Sequence, residues 1–409
     1  MTEIMAKDQI AADDPAIRPS VTMLPGAQRR LERGHPWVFS NEVRMDEATK
    51  ALLPGTLVTL RRADTSPLGA AMFNPHTLIA ARLLDRDAGR PIGRRFFTRR
   101  LERALRLRER LFDAPYYRLV HAEADALPGL VIDRYGEVLV VQSNTAGMAR
   151  LEPLVLDALE ALLSPQAIVL RNDSPARALE NLAAQVEVAR GALEGDVGVL
   201  EDGATFPVDP LAGQKTGWFF DQRDNRRFVA AAAHGARVLD LYCHSGGFAV
   251  QAARQGAASA FGIDRSEPAL ALAGAAAARN GVAERCGFHR AEVFAEAARL
   301  ATVGERFDIL VADPPAFARS RKEAGPALRG YRKLARLAAA LVGPGGLLFL
   351  ASCSFHVGTA EFVEATRRGL ADAGRGGRIL RMAGAGPDHP VHPALPETAY
   401  LKTLTWALD

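Results

Sequence analysis

The chain has 409 residues, 48% of them hydrophobic and 24% charged, with a formal net charge of +4. That length exceeds one ordinary core and predicts two or three domains; the weakly basic balance admits an acidic partner such as nucleic acid without requiring one. Cysteines stand at 243, 286 and 353 without C-x-x-C spacing, which excludes a disulfide framework and a zinc knuckle.

Residues 1–20 carry scattered charges of both signs and no apolar segment of a signal peptide, and read as a flexible tail. No apolar run is long enough to span a bilayer. The chain is therefore expected to be cytoplasmic, with no membrane partner. No His/Asp/Glu clustering suggests a metal.

Residues 21–93 hold short β-type runs, "PWVFSNEV", "GTLVTLRR" and "LIAARLL", broken by Gly, Pro and Asn. They predict a small β-barrel-like module. A central α/β module is expected over 94–200. It opens with "RRFFTRRLERALRLRERLF", where Leu101, Ala104, Leu105, Leu111 and Phe112 recur at helical spacing. On the back of that helix Arg95, Arg99, Arg103, Arg106 and Arg110 follow at steps of four, four, three and four, which stacks them on one face. The face is either a phosphate-tracking surface or a solvated one partly neutralised by Glu102 and Glu109; RNA is the adopted reading. "GLVIDRYGEVLVVQ" predicts two strands about a turn at Tyr135-Gly136, with a helix near 148–163 and a strand near 167–171 to follow.

A third domain is expected over 201–409, where from about 235 onward strand-like runs ("ARVLDLYC", "SAFGIDRS", "CGFHRAEV", "FDILVADPP", "GGLLFLASCS") alternate with Ala-rich helical stretches. This predicts a doubly wound, mostly parallel, Rossmann-like sheet, whose ligands sit beyond the carboxyl ends of the strands. Asp240 ends the first run and Gly246-Gly247 opens a helix, without the G-x-G-x-x-G of a dinucleotide site. A cationic sulfonium cofactor needs no phosphate cradle and welcomes carboxylates, so S-adenosylmethionine is the expected cofactor. Asp264 then stands where ribose hydroxyls are held, and Glu292 could face the adenine amino group. Each has a plainer alternative: Asp240 as a helix-cap partner, Gly246 as a tight turn, Glu292 as a surface acid. Their ordered recurrence at successive strand ends points to a class I methyltransferase.

The fourth run ends in Asp313-Pro314-Pro315, whose prolines expose carbonyls toward the edge of a planar base. By itself this fits methylation of an exocyclic amine. Cys353, at the end of the fifth run between Ser352 and Ser354, suits cytosine C5 instead. A thiolate adding to C6 makes C5 nucleophilic, with Asp313 assisting at N3. The alternative for a lone cysteine is an inert, buried, small hydrophobe.

The stretches "RLERGHPWVFSNEV", "LPGLVIDRYG", "KTGWFFDQRDNR", "LDLYCHSGGFAV", "DPPAFARSRK", "GYRKL", "SCSF" and "DHPVHPALPETAYLKTL", in this order, resemble the bacterial 23S ribosomal RNA cytosine-5 methyltransferases of the RlmI group. The resemblance implies an N-terminal PUA domain, a central domain and a C-terminal methyltransferase domain. It further implies an enzyme forming 5-methylcytidine at the nucleotide usually numbered 1962. It assigns Cys353 as the nucleophile, Asp313 as the base-side aspartate and Asp264 as the ribose ligand, and sets Phe220, Asp221, Gln222 and Arg223 beside the cofactor pocket. Arg223 could pair with the methionine carboxylate or with a neighbouring acid at the start of its helix. Arg29, Arg30 and Arg33 could extend the RNA track of a PUA domain. Ala316 follows Pro315 where another group of RNA cytosine methyltransferases has a second cysteine, so release must use another base. The expected partners are 23S ribosomal RNA or a large-subunit assembly intermediate, with a homodimer allowed. The alternatives are a base-nitrogen RNA methyltransferase using Asp313-Pro314-Pro315 and a non-catalytic assembly factor.

Overall fold

The computed structural model describes residues 13–213 and 216–409. They fall into two compact units: residues up to Gly195 with Pro210–Thr216 and Pro390–Leu395, and Asp196–Asp209 with Gly217–His389 and Pro396–Asp409.

The first unit opens with β1 (Ser20–Thr22), α1 (Gln28–Glu32), β2 (Trp37–Phe39), α2 (Glu47–Lys50), β3 (Thr56–Arg61), β4 (Pro67–Phe73) and β5 (Ile79–Asp85). The strands lie in the order β1-β3-β4-β5-β2. The chain beyond the two edge strands is itself bridged: Met23 faces Val43, Leu24 N donates to Glu42 O at 2.8 Å and Arg44 N to Thr22 O at 2.9 Å. This joins the ends of the sheet around a core of Val38, Val58, Leu60 and Phe73, and gives the barrel-like form expected. Residues 13–19 depart from the expected flexible tail. Asp13 pairs with the buried Arg18, accepts from Ile92 N at 2.8 Å, and Arg18 donates to the carbonyls of Ala88 and Arg90 at 2.9 and 3.0 Å. Residues 1–12 of that tail lie outside the described residues, as does Lys215 of the "KTGWFFDQRDNR" stretch.

The same unit continues with α3 (Arg94–Glu109), β6 (Tyr116–His121), β7 (Leu130–Tyr135), β8 (Val138–Ser143), α4 (Ala146–Leu163), β9 (Ala167–Asn172) and β10 (Gln185–Gly191), the strands ordered β10-β9-β8-β7-β6. Gly136 takes a φ of +66° between β7 and β8, a turn that glycine adopts without a Cβ penalty. Thr145 caps α4 by accepting from Met148 N at 3.2 Å, and α4 makes the crossover that lets β8 and β9 run parallel. On α3, Leu101, Ala104 and Leu105 are buried, whereas Leu111 lies beyond the helix and is exposed.

The second unit starts with the hairpin β11 (Gly198–Glu201) and β12 (Ala204–Pro207), which straddles the domain boundary expected at 200/201. Then come α5 (Arg223–Ala231), β13 (Arg237–Leu241), α6 (Gly247–Arg254), β14 (Ser259–Asp264), α7 (Glu267–Arg279), β15 (Cys286–Arg290), α8 (Val293–Thr302), β16 (Phe307–Ala312), α9 (Ala324–Leu341), β17 (Val342–Ser352), α10 (Thr359–Asp372), β18 (Gly377–Ala383) and β19 (Lys402–Leu408). The seven strands run β15-β14-β13-β16-β17-β19-β18. The first five are parallel and are the five runs read in the sequence; β19 is antiparallel to both its neighbours. Strand order reverses at β13 and β16, which places the ligand crevice beyond Leu241 and Ala312.

Candidate active site

Asp240, next to last in β13, is almost completely buried. Its Oδ2 accepts from Ala249 N of α6 at 3.2 Å, and its Oδ1 has no hydrogen-bond partner among the described residues. Burial, and then the charges of Asp313 and Asp264, push this carboxyl well above the usual carboxylate range. Beyond the strand, Tyr242, His244 and Gly246 all adopt positive φ, at 62°, 48° and 77°. Two of the three bear the steric cost of a side chain in that region, a pattern common at ligand sites. A Cβ on Gly246 would come within 3.0 Å of the Ala273 Cβ and 3.1 Å of the Phe288 ring, so turn and packing together require glycine there.

Asp264 closes β14 with both oxygens oriented by backbone: Oδ2 accepts from His244 N at 3.0 Å and Oδ1 from Ser266 N at 2.9 Å. Glu292 is exposed and caps α8, accepting from Phe294 N at 3.2 Å and Ala295 N at 2.8 Å. The phenol of Tyr242 is pushed up by burial and by Glu292 and Asp264, so the loop and these two acids share one neighbourhood.

The segment before β13 reaches the same crevice. Phe219 meets His244 edge-on at 5.1 Å between ring centroids, Phe220 is buried, and Gln222 Nε2 donates to Asp313 Oδ2 at 2.8 Å. The Gln222 Oε1 accepts from Asn225 Nδ2 at 2.7 Å, and Asn225 Oδ1 accepts from Arg381 at 2.9 Å. Asp221 accepts from the Tyr400 hydroxyl. Arg223 is buried with its Nε 3.7 Å from Glu201 Oε2, and burial pulls its guanidinium below the usual arginine range against the attraction of Glu201 and Asp388. The structure thus gives Arg223 the neighbouring acid that its plainer reading requires. Glu201 itself is also gripped by Arg226 Nε at 2.6 Å and Trp218 Nε1 at 3.0 Å.

Cys353 lies just past β17, half-buried, with Sγ 3.9 Å from the carbonyl oxygen of Pro314. Its position is fixed from both sides. Tyr331 of α9 bridges the buried hydroxyls of Ser352 at 2.9 Å and Ser354 at 3.0 Å, and Ser354 Oγ accepts from Ala318 N at 3.1 Å. Lys402, the first residue of β19 and the register partner of Ser352, is buried and donates from Nζ to Ser354 O at 2.8 Å. Burial draws the Lys402 ammonium down and Cys353 draws it back up. The other thiols differ. Burial, Asp240 and Asp264 push Cys243 well above the ordinary thiol range, and burial pushes Cys286 up to about 11. His356 is half-buried against Phe355.

Residues 177–401 match the family of S-adenosylmethionine-dependent methyltransferases, and residues 21–86 match a PUA-like domain. The chain is 35% identical to the ribosomal RNA large subunit methyltransferase I of Shewanella denitrificans over 94% of its own length and 98% of that protein's. It is also 35% identical to the protein of that name from Aeromonas hydrophila, over the same shares of each. This chain is an S-adenosylmethionine-dependent methyltransferase. In fold the methyltransferase resembles a chain from Streptococcus mutans described as a SAM-dependent methyltransferase, with a TM-score of 0.80 at 20% identity over 95% of this chain and 100% of that one. A methyltransferase solved in complex with SAH matches with a TM-score of 0.80 at 20% identity, over 95% and 99% of the two chains.

The residues at the crevice suit the cofactor of this methyltransferase. A buried carboxylate oxygen without a partner, coupled to two further carboxylates, is relieved by a cationic ligand that carries donors. Sequence reasoning named Asp240, Asp264, Asp313 and Cys353, and the structure gathers all four at the carboxyl ends of β13, β14, β16 and β17. It missed Lys402 and Tyr331, although both sit inside quoted stretches. The available signal for Lys402 was a lone lysine in an otherwise apolar strand.

Of the five arginines singled out, Arg95, Arg99, Arg103 and Arg106 lie on α3 and Arg110 just after it; all are exposed, and none forms an ion pair among the described residues. Arg108, on the inward face, is fully buried in a bidentate pair with Asp125 at 2.7 Å. Arg29 and Arg33 are exposed, while Arg30 is drawn inward to Glu42 at 2.8 Å and lies 4.3 Å from the Phe39 ring centroid. Among the described residues no helix is long and apolar enough to cross a membrane.

Proposed function

We propose that this methyltransferase forms 5-methylcytidine in large-subunit ribosomal RNA through a covalent bond between Cys353 and C6 of the target base. The supporting observation is the thiol held 3.9 Å from the Pro314 carbonyl, next to Asp313, at the crevice of the parallel sheet. The curated relatives are named for methylation of large-subunit ribosomal RNA, and the proposal carries that substrate class over.

Bound S-adenosylmethionine supplies an electrophilic methyl group. Asp240 and Asp264 would hold it, with Glu292 toward the adenine. Cys353 adds as thiolate to C6, and Asp313 hydrogen-bonds N3, so that electron density reaches C5. C5 then takes the methyl group. Removal of the C5 proton by a base and departure of the Cys353 sulfur from C6 restore the aromatic ring and the free enzyme. The exposed arginines of α3 would track phosphate, with Arg29 and Arg33 extending the track, and Arg30 less so because Glu42 occupies it. A base-nitrogen mechanism would leave the ordered thiol and the lysine beside it without a task.

The expected place of work is the cytoplasm, where ribosomal RNA is made, and the reading allows a homodimer without needing one. Bisulfite sequencing of large-subunit ribosomal RNA from cells with and without the gene tests the proposal. One cytosine should lose its protection when the gene is deleted; unchanged protection at every position overturns it.

A further inference from the structure

Lys402 is a buried cation without a carboxylate. Among the described residues no Asp or Glu lies within ion-pair distance of it, and its ammonium is satisfied by a carbonyl, Ser354 O at 2.8 Å. The ionisable group that acts on it is Cys353, one residue before that carbonyl. A buried ammonium is costly unless an anion faces it, and a buried thiolate is costly unless a cation does. Each residue here is the remedy for the other. Among the described residues, Tyr331 of α9 feels the charge of Cys353, Pro314 presents a carbonyl to it from the loop after β16, and Lys402 comes from β19. Lys402 brings a cation to this group. The carbonyl at 3.9 Å opposes negative charge on sulfur, so the lysine has an opposing field to overcome.

We propose that the Lys402 ammonium is the counter-ion that maintains Cys353 as a thiolate, making Lys402 a positioning and activating residue for the nucleophile. The inference rests on the proposed role of Cys353. The step is simple: the thiol releases its proton to solvent, the lysine keeps its own, and no other bond changes. It also explains why a lysine is tolerated at the head of a strand whose remaining residues, Thr403 to Leu408, are buried. The ion pair exists before any substrate arrives.

The pH dependence of Cys353 alkylation by iodoacetamide tests this on the free protein, with peptide mass spectrometry following each cysteine separately. In the parent, Cys353 should alkylate with an apparent pKa below the ordinary thiol value of about 8.5. A parent value at or above that overturns the proposal, whether or not any variant folds. Lys402→Met should raise the apparent pKa by about one unit or more, a tenfold loss of thiolate at neutral pH, and Lys402→Arg should restore most of it. Coincident profiles for parent and a folded Lys402→Met overturn the proposal, as does an arginine variant that behaves like methionine. Trapping with 5-fluorocytidine RNA reports separately on whether Cys353 attacks the base. A lowered thiol pKa with no trapped adduct would remove the nucleophile reading and leave the ion pair standing.

Discussion

Gln222 Nε2 donates to Asp313 Oδ2 over 2.8 Å, and this bond links the segment before β13 to the proline loop after β16. Because Asn225 and Arg381 hold Gln222 in turn, the carboxyl is aimed by a chain of three side chains. Gln222→Glu replaces the donor with a like charge and should raise the pKa of Asp313. If protonated Asp313 serves N3, the alkaline limb of the rate profile moves to higher pH. A methylation profile with unmoved limbs takes Asp313 out of the proton path.

Asp264→Ala removes an acceptor whose two oxygens are already oriented by His244 N and Ser266 N. Charge-assisted bonds to ribose hydroxyls are worth roughly 1.5–3 kcal/mol, so S-adenosylmethionine should bind about ten- to a hundred-fold more weakly. Calorimetry on the folded variant decides; an unchanged affinity places the ribose elsewhere.

Asp240→Asn should separate stability from binding. The folded-state pKa of Asp240 lies above its unfolded value, so between the two the folded chain holds the extra proton and stability falls as pH rises through that window. The neutral asparagine abolishes this dependence. The ligand-free variant should therefore melt higher than the parent at neutral pH, match it in acid, and bind S-adenosylmethionine less tightly. A lower melting temperature at neutral pH would show that the ionised carboxylate stabilises the empty site.

RNA carrying 5-fluorocytidine at the target can accept sulfur at C6 and methyl at C5 but offers no removable C5 proton. The enzyme should remain attached through denaturing electrophoresis, and only when S-adenosylmethionine is present. Cys353→Ala should lose both the adduct and methyl transfer and retain cofactor binding; Cys286→Ser should keep the adduct. Robust methylation by Cys353→Ala would promote the base-nitrogen mechanism.

Arg99, Arg103 and Arg106 stand exposed on α3 without ion pairs among the described residues. Their joint replacement by Glu should weaken RNA binding and flatten its dependence on salt, by about 0.7–0.9 in log–log slope for each phosphate no longer neutralised. Filter binding across a salt series shows this directly, and equal slopes would make the face merely solvated.

The parallel half of the catalytic sheet was legible because each strand run ends in a chemically distinctive residue, Asp240, Asp264, Asp313 or Cys353, and a parallel sheet brings those ends together. The solvent face of α3 was legible for a similar reason, since helical spacing alone separates the exposed Arg103 and Arg106 from the buried Arg108. Three features were not. Arg18 looked like part of a tail because its partners, Asp13 and the carbonyls of Ala88 and Arg90, are set by tertiary structure. Gly246 could be read as a tight turn, but that Ala273 and Phe288 would also crowd a Cβ there is set by tertiary packing. Lys402 gave no periodic signal at all, because its meaning depends on an antiparallel register with Ser352 that spans about fifty residues of chain.

The placement of β19 between β17 and β18 has a kinetic side. β18 leaves the ribosome earlier than β19, yet its ladder partner in the described sheet is β19. Until that later strand arrives, β18 lacks its native ladder partner and β17 keeps an open edge, a combination prone to mispairing in partly made chains. Insertion of β19 pairs it with β17 and β18 in one event and, in the same event, brings Lys402 to Ser354 O, one residue after the thiol. A nascent or truncated chain lacking β19 would thus be sticky and, on the proposed role of Lys402, chemically quiet, with its thiol armed only after the sheet has become safe.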